Sequence, residues 1–296
     1  MPQTVKQLLK QAKKHNHTDA LDAEYLLAHV LRATREAVLA HPERRVSAFQ
    51  TWQYRRMIQK RATGIPVHYL VKKAEFYGLS FFVNAHVLIP RPSTETLAEA
   101  ATALISEYAA HPDHMLFMDI GTGSGAIPIA VLRSLPPKIS HPATIATDIS
   151  RNALAVAKKN AKMHGLAITF LHGHLLRPVM RDWHKTYGHI RHIILTANLP
   201  YLTKEEIKES NTIRHEPLIS LWGPENGLGW YRALLEQMTD VWSMPIESFT
   251  AFFEMNPHQM AEASAMVLAH FPSAHIAIEK DLGGLDRMLR VEIAKP

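Results

Sequence analysis

An α/β fold with a parallel, doubly wound sheet is predicted by three features of this chain. From Ser93 onward, apolar strand-like runs alternate with helical patterns. A glycine-rich turn, Gly121, Thr122, Gly123, Ser124 and Gly125, joins one such strand to a helix. The residues before Gly64 are helical in pattern only, which sets them apart as a small separate domain.

Three helical patterns open the chain. Thr4 to Lys14 is the first, amphipathic and basic; it reads as a first helix of the fold rather than a transit peptide. The second follows Thr18, taken as its N-cap, and places Leu21, Leu26, Leu27, Val30 and Leu31 on one face. The third spans about Val46 to Arg61, with Phe49, Trp52 and Met57 interleaved with basic residues. Aromatic, β-prone residues from Glu75 to Val83 surround a glycine and predict a hairpin. The two prolines between Val87 and Pro92 then stop regular structure. The expected domains are therefore 1–74, helical; 75–92, hairpin and Pro-rich linker; and 93–296, the α/β domain.

Within the α/β domain the periodicity predicts helices at Thr94–Tyr108, Ala126–Leu135, Arg151–His164, Trp230–Met238 and Gln259–His270. Strands are predicted at Met115–Asp119, Ala143–Asp148, Ile168–His172, Ile190–Thr196, Ser248–Glu254, His275–Glu279 and Met288–Ile293.

Composition narrows the chemistry. Of 296 residues, 47% are hydrophobic and 20% charged, as expected of a soluble globular protein. No window is long and apolar enough to span a membrane, so no membrane partner is expected and a cytoplasmic location is the default. The net charge of +6 and nineteen histidines suit work near nucleic acid without requiring it. There is no cysteine, which excludes disulfides, thiolate catalysis and thiolate metal sites in this chain.

Two motifs carry chemistry. In the first, Gly121, Gly123 and Gly125 let backbone approach a bulky ligand at the carboxyl edge of the sheet. The dinucleotide fingerprint would place its third glycine at position 126, which is Ala126 here. Asp119 could position a cofactor ammonium or orient the loop. Asp148 ends the next strand, where a carboxylate can accept both ribose hydroxyls; a cap for the helix after it is the alternative. The second motif is Asn198, Leu199, Pro200 and Tyr201, directly after an apolar strand. An amide or amino nitrogen is a poor nucleophile because its lone pair is delocalised. Acceptors for its N–H groups, here the Asn198 side-chain oxygen and the Leu199 carbonyl, would aim that lone pair at an electrophile. Tyr201 would offer an aromatic face. His172 and His174 have metal-ligand spacing but no third ligand in sight, so no metal is expected. Trp52, Tyr54, Arg55, Arg56 and Lys60 read as one solvated basic helix face, with contact to nucleic acid as the alternative.

These residues resemble the HemK/PrmC family of release-factor glutamine methyltransferases. The likeness runs through Gly64–Leu70, Glu75–Gly78, Leu88–Glu95, Asp119–Gly125, Asp148, Asn198–Tyr201, His215–Pro217, Gly227–Gly229 and Lys280–Arg287. The resemblance implies a Rossmann-like class I methyltransferase using S-adenosyl-L-methionine, with a helical N-terminal substrate-recognition domain and an antiparallel pair among its last strands. It implies methylation of the side-chain amide nitrogen (N5) of the glutamine in the Gly-Gly-Gln loop of peptide-chain release factors, with nucleic acid not required. Asn198 and Tyr201 would be catalytic, and Asn198, Leu199, Pro200 and Tyr201 would form the glutamine site. Asp119, Gly121 to Gly125, Asp148, His174, Leu175 and Asn198 would contact the cofactor.

Three places depart from the family pattern. Leu199 stands for the usual proline, Ser93 for an acid, and His174 with Leu175 for an acid and its neighbour beside the adenine. Asn-Leu-Pro-Tyr is also the pattern of ribosomal-RNA adenine dimethyltransferases. Adenine-N6 methylation of ribosomal RNA is therefore the alternative, and a degenerate cofactor-binding or release-factor-binding module is a third reading.

Overall fold

The computed structural model describes residues 3–12, 18–108, 112–181, 183–210 and 213–295. Two units, Met1–Lys73 and Ala74–Pro296, have separate interiors.

In the first unit, β1 (Gln3–Thr4) leads into α1 (Val5–Ala12); Lys13 and Lys14, predicted to extend this helix, lie outside the described residues. α2 (Ala20–Leu31) is capped by Asp19, which accepts from Asp22 N at 2.7 Å, and not by Thr18. Asp19 stands one residue nearer the helix and satisfies an otherwise orphaned N–H. α3 (Arg35–Ala40) follows. β2 (Arg45–Val46) pairs antiparallel with β1, so Val46 belongs to a strand and the third predicted helix begins later, as α4 (Ala48–Ala62). Ser47 and Gln50 form its capping box. α5 (Val67–Val71) closes the unit.

The core of this unit contains Val5, Leu8, Leu26, Leu27, Val38, Val46, Tyr54 and Ile58. Leu21, predicted to share that face, is exposed. Tyr54 is buried, so it cannot belong to the basic surface face, whereas Phe49 and Trp52 stack on each other in solvent.

The second unit begins with the predicted hairpin, β3 (Ala74–Phe76) and β4 (Leu79–Phe81), paired antiparallel. Tyr77 and Gly78 both have positive φ, +51° and +69°, as a two-residue turn matched to strand twist requires. Then come α6 (Glu95–Glu107), β5 (Met115–Ile120), α7 (Ala126–Ser134), β6 (Ala143–Asp148), α8 (Arg151–Met163) and β7 (Thr169–His172). Two short helices, α9 (Arg177–Met180) and α10 (Trp183–Thr186), precede β8 (His192–Ala197). They are followed by α11 (Lys204–Glu209), α12 (Gly229–Trp242), β9 (Ser248–Glu254), α13 (Met260–His270), β10 (His275–Lys280) and β11 (Asp286–Ala294).

Seven strands form one sheet in the order β10-β11-β9-β8-β5-β6-β7. The strands from β9 through β7 pair in parallel, while β11 runs antiparallel to both β9 and β10. The sheet is thus mixed rather than wholly parallel, with the antiparallel pair at its end.

All six residues of β5 are buried, because helices cover both faces of the sheet. Strand alternation divides them. Leu116, Met118 and Ile120 pack with Tyr231, Leu234 and Met238 of α12. Met115 and Phe117 pack with Leu97 and Ala101 of α6 and with Ile129 of α7. From β5 the chain proceeds to β6 and β7 on one side and then returns to place β8 on the other. The carboxyl ends of β5 and β8 therefore meet at the point where strand order reverses, the usual place for a ligand crevice in such a sheet.

Candidate active site

Both sequence motifs leave the sheet at that crevice. Past β5, Gly121 adopts φ +74°, and a Cβ there would lie 2.9 Å from Leu199 Cδ2. The positive φ is what calls for glycine, while the close contact shows how tightly the Leu199 side chain lies against the loop. Gly121 N and Thr122 N donate to the Thr147 carbonyl at 2.9 and 3.0 Å, fastening the loop to the end of β6.

Asp148 fixes the centre of the loop. Its Oδ2 accepts from Gly123 N at 2.9 Å and its Oδ1 from Ser150 N at 2.8 Å. Burial pushes this carboxyl above its usual range, against the pull of those two N–H groups. The cap of α8 is Ser150, which leaves Asp148 on the cleft wall with lone pairs to spare on both oxygens.

Sequence reasoning missed Asn160, which is fully buried inside α8. Its Nδ2 donates to the carbonyls of Ser124 (2.9 Å) and Phe82 (3.0 Å), and its Oδ1 accepts from Phe82 N at 2.8 Å. It ties the glycine loop to the chain leaving the hairpin. The available signal was an asparagine on the apolar face of a helix, where an unpaired amide would be costly.

Asp119 lies beneath the loop and does not line the cleft. Its Oδ1 accepts from the Thr196 hydroxyl at 2.7 Å, while Oδ2 has no hydrogen-bond partner among the described residues. The Thr196 bond favours the ionised form, whereas the buried Thr122 hydroxyl makes no hydrogen bond of ordinary geometry among the described residues. Burial dominates and raises the Asp119 pKa from 3.8 to about 6.

This shift has a consequence for stability. Between pH 4 and 6 the native state holds a proton that the unfolded chain has released, so stability falls as pH rises through that window. From the two pKa values the loss is on the order of 3 kcal/mol. Asp119→Asn should remove this dependence, so denaturation midpoints of the two proteins should diverge from pH 4 to 6 with the variant gaining. Parallel profiles would contradict the assignment.

At the end of β8, Asn198 Nδ2 donates to Glu254 Oε2 at 2.8 Å and to Thr94 Oγ1 at 3.0 Å. Both amide protons are thereby used, and Oδ1 remains as an acceptor on the cleft wall. Glu254, at the end of β9, is fully buried and also accepts from Ser93 Oγ at 2.9 Å. Burial raises its pKa, opposed by the Thr94 and Ser93 hydroxyls. Glu254 was absent from the sequence reading, since an acid at a strand end carries no mark of its partner. Ser93, noted only as a departure, proves to be one of its ligands.

Leu199 and Pro200 line the cleft beside Asn198, but Tyr201 does not. Its ring packs against the interior cluster, burial and Glu254 push its phenol pKa up, and its carbonyl accepts from Gln259 Nε2 at 3.0 Å.

The opposite wall includes His174, Leu175 and Trp230. Gln237 Oε1 accepts from Leu176 N and Arg177 N at 2.9 and 3.1 Å. Its Nε2 therefore faces His174 Nδ1 at 3.2 Å, which places the proton of the neutral ring on Nε2. Burial, then Arg177, lowers the His174 pKa, and the ring meets Trp230 edge-on at 5.6 Å. His172 turns instead to the Ile149 carbonyl at 3.0 Å. Among the described residues there is no group of three His, Asp or Glu side chains that could hold a metal ion.

Pro90 and Arg91 also line the cleft, held by Glu216, which pairs with the Arg91 guanidinium and accepts from Ile89 N at 3.1 Å. The whole encloses a cavity of about 230 Å³. A glycine cradle, a wall carboxylate with spare lone pairs and an aromatic side chain on the wall together fit a nucleoside-bearing cofactor.

Comparison with known proteins agrees. A family model described as the PrmC N-terminal domain matches residues 3–71. The release factor glutamine methyltransferase of Bacillus anthracis is 34% identical over 282 residues, covering 95% of each chain. That of Bacillus subtilis is 32% identical over 279 residues, covering 92% of this chain and 91% of that protein. Among solved structures, the hMettl16 catalytic domain in complex with a MAT2A 3'UTR hairpin aligns at a TM-score of 0.53 and 13% identity, covering 85% of this chain and 83% of that one, a likeness of fold alone. With a mixed seven-stranded sheet, a glycine loop at its switch point and relatives of that identity over almost its whole length, the chain belongs to the release factor glutamine methyltransferase family.

Proposed function

We propose that this cleft transfers a methyl group from S-adenosylmethionine to the side-chain amide nitrogen of the glutamine in the Gly-Gly-Gln loop of peptide-chain release factors. The observation that carries the reading is the Asn198 amide. Both of its protons are spent on Glu254 and Thr94, so its oxygen is left to accept from a substrate N–H. The Leu199 carbonyl is the second acceptor. Two acceptors placed against a carboxamide NH₂ orient the nitrogen lone pair out of conjugation and toward the incoming carbon. Asp148, the Gly121–Gly125 loop, His174, Leu175 and Trp230 would hold the cofactor, whose sulfonium supplies an electrophilic methyl group. No side chain need remove a proton beforehand, because the methylated nitrogen becomes acidic on transfer and loses its proton to water.

Tyr201 serves this site from behind rather than as a stacking face. Its carbonyl bond to Gln259 ties down the segment that runs on from Asn198. The unit Met1–Lys73 acts in substrate recognition, and the protein works in the cytoplasm, where release factors are found. No helix among the described residues is long and apolar enough to cross a membrane.

The test is incorporation of labelled methyl from the cofactor into purified release factor, with ribosomal RNA and ribosomal particles as parallel acceptors. Label is expected in the release factor. Label in the RNA alone would replace this reading with adenine methylation.

A further inference from the structure

Leu199 brings a backbone N–H into a buried place where the family's usual proline would have none. That N–H donates to Tyr231 Oη at 3.2 Å, and the same hydroxyl donates to the Glu254 carbonyl. Tyr231 is 1% exposed and reaches the site from α12. Its phenol thus joins the ends of β8 and β9, the two strands that present Asn198 and Glu254. Burial, then Glu254, drives its pKa far up, so it remains a neutral donor and acceptor. On the other side of the Leu199 Cα, the side chain is 3% exposed and closely packed where Gly121 leaves room.

We infer that Tyr231 is a positioning residue for the transfer: its hydroxyl holds the Leu199 peptide, and hence the substrate-accepting Leu199 carbonyl, where a proline ring would otherwise fix it covalently. The Leu199 backbone is gripped at both substituents of its Cα, the N–H side by Tyr231 and the side chain by the glycine loop. Rotation about its N–Cα bond would break one grip or the other. This restores by hydrogen bonding the φ restriction that leucine lacks. The inference rests on the proposed amide transfer, but part of its test does not.

Tyr231→Phe removes the acceptor for the Leu199 N–H while keeping the ring that packs against Phe253. It should lower kcat roughly tenfold, as expected for losing one positioning hydrogen bond, with KM for the cofactor nearly unchanged. In a Leu199→Pro background there is no N–H to hold. There the same substitution should cost no more than about threefold, leaving only the lost bond to the Glu254 carbonyl. An equal loss in both backgrounds would overturn the proposal. Hydrogen exchange at the Leu199 amide, followed by NMR in the otherwise unchanged protein, needs no activity and no proline variant. About tenfold faster exchange is expected in Tyr231→Phe, and an unchanged rate would overturn the proposal. If the wild-type protein fails to methylate release factor, the functional reading falls, while the exchange measurement still decides whether Tyr231 holds Leu199.

Discussion

Asn198→Ala is expected to lower kcat by roughly two to three orders of magnitude while leaving the affinity for cofactor within about threefold of wild type. The truncation removes the side-chain oxygen that accepts from the substrate amide. It also removes the donor that Glu254 and Thr94 share. Glu254 is buried with its pKa already raised, so losing that N–H should raise it further and take some stability from the fold. A denaturation curve alongside single-turnover rates separates the two effects. Because the chemical step depends on the oxygen, the rate should fall even at temperatures where the variant is fully folded. Turnover near the wild-type level would move the chemistry away from the end of β8.

The second large effect is expected from Asp148→Ala, and it should appear in binding. Asp148 holds Gly123 N and Ser150 N and lines the cleft with its remaining lone pairs. Without it, two N–H groups lose their acceptor and the loop keeps only its Thr147 ties to the end of β6. The site also loses its acceptor for ribose hydroxyls. Calorimetry with S-adenosylhomocysteine should show affinity reduced by about a hundredfold or more, which corresponds to two charge-assisted hydrogen bonds. Undiminished affinity in a folded variant would mean that the cofactor lies elsewhere.

The strands that place this site could be read from the chain because their physics is local. Met115 to Ile120 is covered on both faces, so it is apolar at every position but Asp119, and the glycines after it mark a turn. Helices of a few residues, such as α3, α5 and α9 to α11, never complete a periodic window and so left no pattern. Thr18 and Asp19 both suit an N-cap, and only geometry distinguishes them. Within the site, Asp148 and Asn198 were visible because each stands at the carboxyl end of an apolar strand, on the sheet edge where ligands bind. Their supports were not. Asn160, Tyr231 and Glu254 lie on elements distant in sequence, and a polar residue in a helix or at a strand end does not announce what it will meet.

Tyr201 shows the converse. Its proximity to Asn198 in sequence suggested a stacking face, but its ring packs against the interior beside Glu254. Leu199 was readable as a departure from the family's proline, but not as a buried N–H. That it is held by Tyr231 depends on α12, far along the chain, packing into the same core.

The most direct test of the account is to map the methyl group on the product. Release factor treated with this protein and S-adenosylmethionine, then digested and sequenced by mass spectrometry, should carry one added methyl on the glutamine of its Gly-Gly-Gln loop. A release factor with that glutamine changed to alanine should remain unmodified. Methylation that persists on the alanine variant would contradict the account.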